Sequence, residues 1–116
     1  MTDYSKQSGK TTIDPEVLLT ISKLSALSVE GVSHMASGPH TIDAVLHRNY
    51  SNGVKIDVED NTVYVDLYLV MKQDVNLLET SKKVQAKINR AITEMVGMDV
   101  GRVNIHIEDI DYVSTD

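Results

Sequence analysis

Two neighbouring stretches of alternating apolar and polar residues predict a β-hairpin in the middle of the chain. Residues 54–59 and 62–69 both alternate with a period of two, which is typical of strands with one buried face. Only Asp60 and Asn61 separate them, and so short a connection favours a tight hairpin turn. The predicted cross-strand pairs are Val58 with Val63, Ile56 with Val65, Val54 with Leu67, and Lys55 with Asp66. The hairpin should therefore present one apolar face and one polar face.

A first helix is predicted to begin at residue 15, because three consecutive residues suit a helix start. Asp14 can cap the first amide groups, Pro15 fits the first helical position, and Glu16 favours the positive end of the helix dipole. Gly31 is predicted to be the left-handed C-terminal stop. The apolar stripe predicted to face the core consists of Val17, Leu18, Ile21, Leu24 and Leu27.

A second helix is predicted to follow Asn76. Asn76 and Glu79 have the spacing of a capping box, Asp74 is an alternative cap, and Gly97 is predicted to end the helix. The stripe predicted to face the core consists of Leu77, Ser81, Val84, Ile88, Ala91, Ile92 and Met95. The basic residues Lys82, Lys83 and Lys87 are interpreted as part of a solvated helix face.

Three other segments are predicted to be strands. Residues 102–108 alternate again and follow the second helix, so a crossover should place them parallel to the hairpin, directly or one strand removed. Residues 32–35 are predicted to form a short strand, and residues 11–13 could add an edge strand. The inward-facing positions of the third long strand are Val103, Ile105 and Ile107.

These elements predict an α+β fold, a two-layer sandwich with two amphipathic helices packed on one face of a small mixed β-sheet. The single domain is predicted to span residues 13–110, with tails at 1–12 and 111–116. The segment 36–53 is longer than an ordinary loop, so we expect it to be functional or partly ordered. Within it, one apolar side of a helical turn could be formed by Ile42, Val45 and Leu46.

Composition narrows the classes of function. The chain has 116 residues, no cysteine and a net charge of −6. The lack of cysteine excludes disulfides and thiolate chemistry and suits a reducing compartment. The first residues lack a signal-peptide pattern, and no apolar run approaches the ~20 residues that a membrane span needs. We therefore expect a cytoplasmic protein without direct membrane insertion, and the negative charge argues against nucleic acid as a partner.

No catalytic, metal or cofactor site is predicted. The only imidazoles, at spacings unlike those of zinc ligands, are His34, His40, His47 and His106. Three carboxylates cluster near the hairpin on its predicted polar face: Asp57, Glu59 and Asp66. Acid–base catalysis usually needs one buried carboxylate, and these positions face solvent. We therefore expect no enzymatic activity.

The outer face of the sheet is the surface that invites a functional hypothesis. Tyr64 and Tyr68 lie on the polar side of the hairpin, and if the third long strand belongs to the same sheet, Asn104, His106 and Glu108 share that side. Tyrosine is common on exposed sheet faces, is enriched at protein–protein interfaces, and stacks on bases in single-stranded RNA readers. The residues predicted to bind a partner are Tyr64, Tyr68 and His106.

Five short motifs follow one another in a specific order: Asp14-Pro15-Glu16, Glu30-Gly31-Val32, Gly53-Val54-Lys55, the VDLYLV run of residues 65–70, and Asn104-Ile105-His106-Ile107. This order resembles the alkaline shock protein 23 family, also called the general stress protein 24 family, over about residues 10 to 110. The resemblance implies a small cytoplasmic protein of Gram-positive bacteria that is associated with cell-envelope stress. It also implies self-association or attachment to a membrane-embedded partner, and no established catalytic residues.

Together these observations predict a non-enzymatic protein of the envelope stress response. Its expected partners are a second copy of itself or a membrane-anchored protein, with no cofactor, no metal and no nucleic acid. It should be cytoplasmic and lie near the membrane only through such a partner. The alternative is a small nucleic-acid-binding module, or a small-ligand sensor that uses residues 36–53.

Overall fold

Both helices cover one face of the sheet, which confirms the predicted two-layer α+β arrangement. The computed structural model describes residues 9–37 and 50–112. The elements are α1 (Pro15–Leu27), β1 (Val32–Met35), β2 (Tyr50–Ser51), β3 (Val54–Glu59), β4 (Thr62–Lys72), α2 (Leu77–Ala91), a π-helical turn (Ile92–Val96) and β5 (Asp99–Asp111). The helical turn considered for residues 42–46 lies outside the described residues.

The β3–β4 hairpin has the predicted register. Asp60 and Asn61 both have positive φ, 49° and 64°, as the two central residues of a type I′ turn require. The observed pairs are Val58 with Val63, Ile56 with Val65, Val54 with Leu67, and Lys55 with Asp66. Of the apolar residues in these pairs, Val58, next to the turn, is not buried as expected: it is 46% exposed.

Among the described residues, strand β4 is the centre of a five-stranded mixed sheet. β5 lies directly beside it and parallel to it, as the strand–helix–strand order predicts. β3 and β1 pair antiparallel with successive parts of β4, and β2 pairs with β3. The alternating pattern does not predict β2, and it underestimates the length of β4 and β5. Residues 11–13 are not a strand, so that expectation was wrong.

The helix starts are as predicted, but one helix end is not. The Asp14 side chain accepts a hydrogen bond from the Glu16 amide, and the Asn76 side chain accepts one from the Glu79 amide, both at 2.9 Å. Gly97, with φ of 78°, ends the helical segment after the π-helical turn. α1, however, ends at Leu27 with Ser28 as its C-cap, so Gly31 is not the stop.

The buried face of α1 differs from the predicted stripe. Leu24 is 61% exposed, and Val17 and Leu27 also lie at the surface. The buried positions are Leu18, Leu19, Ser22 and Ala26, so the prediction is confirmed for Leu18, and Ile21 is partly buried against the core. Ser22 and Ala26 are completely buried, and their small side chains let the helix backbone approach its neighbours closely. In α2 and the turn after it, the buried residues are Thr80, Val84, Ile88 and Ile92, whereas Leu77 and Met95 are exposed.

Candidate functional site

The outer face of the sheet, opposite the helices, gathers polar and aromatic side chains from β4 and β5. Because the two strands are parallel and adjacent, their registers place Tyr64 beside Arg102, Asp66 beside Asn104, and Tyr68 beside His106. We call this set of six residues the β4–β5 patch. The three residues predicted to bind a partner therefore share one face within two neighbouring strands.

Asp66 organises the middle of the β4–β5 patch. One of its oxygens, Oδ1, accepts a hydrogen bond from Asn104 Nδ2 at 3.1 Å and lies 3.1 Å from His106 Nε2. Since a carboxylate accepts hydrogen bonds, Nε2 is the donor in the second contact. The Asp66 side chain is 26% exposed and that of His106 is 46% exposed. The two contacts fix the orientation of the imidazole while leaving part of it open to solvent.

Each tyrosine of the patch is held by a neighbour on β5. The Tyr68 and His106 rings are stacked, with centroids 4.6 Å apart and planes 13° from parallel. The guanidinium carbon of Arg102 lies 5.5 Å from the centroid of the Tyr64 ring, within the range of a cation–π contact. Gly101 leaves the room that the Tyr64 ring occupies, because a Cβ at that position would overlap the ring. The patch is therefore largely preorganised, which lowers the entropy cost of binding.

Glu108 does not have the cross-strand pairing that strict alternation would give it. The register of β4 and β5 shifts between Leu69 and Val70, so Ile107 pairs with Leu69 and Asp109 pairs with Val70. Glu108 is the extra residue of this irregularity, and Asp109 takes the position predicted for it. An irregularity of this kind follows from the packing of the two strands and leaves no signal in the alternation of residues.

The charges of the sheet are mostly negative. Strands β3, β4 and β5 contain seven carboxylates and three Lys or Arg residues. At the hairpin end, an open depression of about 590 Å³ is lined by Asp57, Val58, Glu59, Tyr64 and Arg102. A surface of this charge favours a partner with basic groups and disfavours the phosphates of nucleic acid.

The sequence prediction missed one member of the β4–β5 patch and the central role of another. It placed Asp66 opposite Lys55, which the register confirms, but not at the centre of contacts with β5. It did not include Arg102. Of the four histidines, His34 lies on β1 beside Ser33 and His106 lies on β5, whereas His40 and His47 are outside the described residues. Within residues 9–37 and 50–112, no group of three or more His, Asp or Glu side chains could hold a metal ion.

Removal of the Asp66 carboxylate should loosen the patch. We expect Asp66→Ala to lower the free energy of unfolding by about 1 kcal/mol, because two hydrogen bonds are lost at a partly exposed site. The His106 ring-proton shifts in NMR spectra should move as the stack with Tyr68 relaxes. Asp66→Asn, which keeps one acceptor oxygen, should retain most of the stability in urea unfolding. If Asp66→Ala changed neither the stability nor the His106 shifts, this role of Asp66 would be wrong.

The fold and the patch define a small two-layer α+β protein with a preorganised polar sheet face. Residues 3–112 match the alkaline shock protein 23 family, which is described as having a cell envelope-related function, and the chain belongs to that family. The resemblance read from the five motifs is thereby confirmed.

Three relatives cover most of the chain. An uncharacterized protein of Bacillus subtilis strain 168, YqhY, is 32% identical over 108 residues, which is 90% of this chain and 78% of the relative. A second from the same organism, YloU, is 24% identical over 106 residues, 88% of each chain. An uncharacterized protein of Streptococcus pyogenes serotype M6, Spy1614, is 29% identical over 109 residues, 90% of each chain. No solved structure matches the chain. Among the described residues, neither helix has the length and apolar character needed to cross a membrane.

Proposed function

We propose that this protein is a non-enzymatic adaptor of the cell-envelope stress response that docks through the β4–β5 patch onto a protein. The protein bound by the patch is a second copy of the chain or a membrane-anchored partner, and the docking takes place on the cytoplasmic side. The observation that carries the proposal is the ordered arrangement of Tyr68, His106 and Asp66 on an exposed sheet face. Membership of an envelope-related family supports the cellular context.

The chemistry of the patch suits protein binding. Tyrosine and arginine supply large contact areas and are the residues most often found at the energetic centres of interfaces. Here their geometry is set before binding, by the cation–π contact of Arg102 with Tyr64 and the ring stack of Tyr68 with His106. The surrounding carboxylates would select a partner surface with basic groups.

Loss of both tyrosines should abolish docking without unfolding the protein. We expect the variant Tyr64→Ala with Tyr68→Ala to weaken self-association or partner capture at least about tenfold, because interface tyrosines often each contribute more than 1 kcal/mol. Light scattering would measure the mass of the protein, and pull-down from the envelope fraction of the host would measure partner capture. Tyr112→Ala is the matched control, since Tyr112 is 73% exposed and lies beyond the end of β5. Unchanged mass together with unchanged capture would refute the docking role of the patch.

The alternative of a nucleic-acid module is tested by a binding assay. Binding to mixed RNA and DNA at low and physiological salt would be steeply salt-dependent if phosphates were the ligand. We expect no such binding, because the acidic strands repel phosphate.

A thermal-shift screen of small molecules tests the sensor alternative, since a ligand at a hundred times its dissociation constant stabilises the fold by about 2.7 kcal/mol.

A further inference from the structure

The helix layer carries a second exposed feature, on the side of the molecule opposite the β4–β5 patch. An open groove of about 600 Å³ runs between α1 and α2. Its apolar lining comes from Ile21 and Leu24 on α1 and from Ala91 and Met95 on α2 and the π-helical turn. Leu24 is 61% exposed and Met95 is 72% exposed. These two large apolar side chains lie beside one concave surface, so a partner that fits the concave surface would cover both.

The charged residues on the border of the groove are two basic and one acidic, so the border has a net positive charge. Lys87 and Arg90 line it from α2, and Glu94, one turn further on, contacts Arg90 at 3.3 Å. α2 and the π-helical turn together contain four Lys or Arg residues and two Glu residues, so this part of the chain is net positive although the whole protein is net negative. Of the three lysines that the sequence predicts on a solvated helix face, Lys87 lines this groove.

We propose that this groove, which we call the α1–α2 groove, binds an amphipathic α-helix of a partner protein that carries acidic residues beside its apolar face. A helix presents apolar side chains at positions i, i+3 or i+4, and i+7, and these fit a groove formed by two packed helices. Glutamate or aspartate next to that apolar face meets Lys87 and Arg90. The proposal does not depend on the β4–β5 patch, since the two surfaces lie on different layers of the sandwich.

A second copy of this chain fits the groove less well. In a symmetric dimer with α2 packed antiparallel against its own copy and centred on Lys87, Lys83 of one copy would approach Arg90 of the other, and like charges destabilise such a contact. The acidic outer face of the sheet complements the charge of the groove. However, that face offers polar rather than apolar side chains to Leu24 and Met95. A separate acidic amphipathic helix satisfies both the charge and the apolar lining.

The test uses the full chain and synthetic helical peptides of roughly 18 residues. The first peptide has leucines at helical spacing flanked by glutamates, the second has lysines in place of the glutamates, and the third has the leucine order scrambled. We expect the glutamate peptide to bind at least about tenfold more tightly than the other two, by fluorescence anisotropy. Amide shifts in NMR spectra should change in α1 and α2 and not in β5.

Substitutions in the groove show which residues the peptide contacts. Leu24→Gln and Met95→Gln should each weaken binding about tenfold without loss of stability, because both side chains are exposed in the free protein. Leu78→Gln is the matched control, since Leu78 is 67% exposed on α2 but does not line the groove. Reversal of charge by Lys87→Glu with Arg90→Glu should shift the preference to the lysine peptide. Loss of Tyr64 and Tyr68 should leave peptide binding unchanged, which separates this proposal from the function proposed for the sheet face.

Several results would overturn the proposal. One is the absence of saturable binding of the glutamate peptide up to roughly 1 mM. Another is binding that Leu24→Gln and Met95→Gln leave unaltered. The third comes from a measurement of binding to vesicles of phosphatidylglycerol and phosphatidylcholine. If the protein bound them through Leu24 and Met95 but did not bind the peptide, the groove would be a lipid contact and not a helix-binding site.

Discussion

Substitution of Gly53 by alanine should strongly destabilise the protein although it adds only one methyl group. Gly53 has φ of 84°, and the left-handed conformation costs an alanine about 1–2 kcal/mol. A Cβ there would also overlap the carbonyl oxygen of Ala36 and lie 2.9 Å from that of Tyr68. Displacement of these backbone atoms should add about 1–3 kcal/mol. We therefore expect the free energy of unfolding in urea, followed by circular dichroism, to fall by about 2–5 kcal/mol.

Gly97→Ala is the control that separates the two causes. Gly97 has nearly the same backbone conformation, with φ of 78°, but a Cβ there would meet no atom within 4 Å. It should therefore cost only the backbone term of about 1–2 kcal/mol. If both variants lost the same free energy of unfolding, the close approach of Ala36 and Tyr68 to Gly53 would not contribute to the effect of Gly53→Ala.

The position of Gly53 explains why its effect should extend to the β4–β5 patch. At Tyr68 the neighbour of β4 changes from β3 to β1. The Tyr68 amide donates to Gly53 O and the Tyr68 carbonyl accepts from the Ala36 amide, both at 2.8 Å. These two bonds fix the backbone that carries the Tyr68 ring. A shift at Gly53 should therefore also disturb the stack with His106.

The hairpin and the parallel strand could be predicted because local rules determine them. A period of two fixes which side chains share a face, and a two-residue turn fixes the register. The connection through α2 leaves few positions for β5. The same rules place Tyr64 and Tyr68 on the outer face. They do not give the register of a parallel pair or its irregularities, and for that reason the central role of Asp66 and the displacement of Glu108 could not be read from the sequence.

The orientation of α1 could not be predicted because the helix has two apolar stripes. One contains Val17, Ile21 and Leu24, and the other contains Leu18 and Leu19 followed by the small residues Ser22 and Ala26. Both have helical spacing, and every residue named in the first is a large apolar side chain. The structure buries the second, since Ser22 and Ala26 are completely buried. In the first stripe, Ile21 is partly buried against the core whereas Val17 and Leu24 are exposed, and Ile21 and Leu24 line the α1–α2 groove.

Leu18 and Leu24 should therefore respond very differently to the same substitution, although helical periodicity alone assigns both to the core. Leu18 is 2% exposed, and Leu18→Ala should lower the free energy of unfolding by about 2–5 kcal/mol, because it removes buried methyl groups and leaves a cavity. Leu24→Ala should change it by no more than about 0.5 kcal/mol, as expected for a surface position. Urea unfolding of the two variants measures both values in matched helical contexts. If Leu24→Ala were the more destabilising, α1 would present its other stripe to the sheet, and the α1–α2 groove would not have Leu24 in its lining.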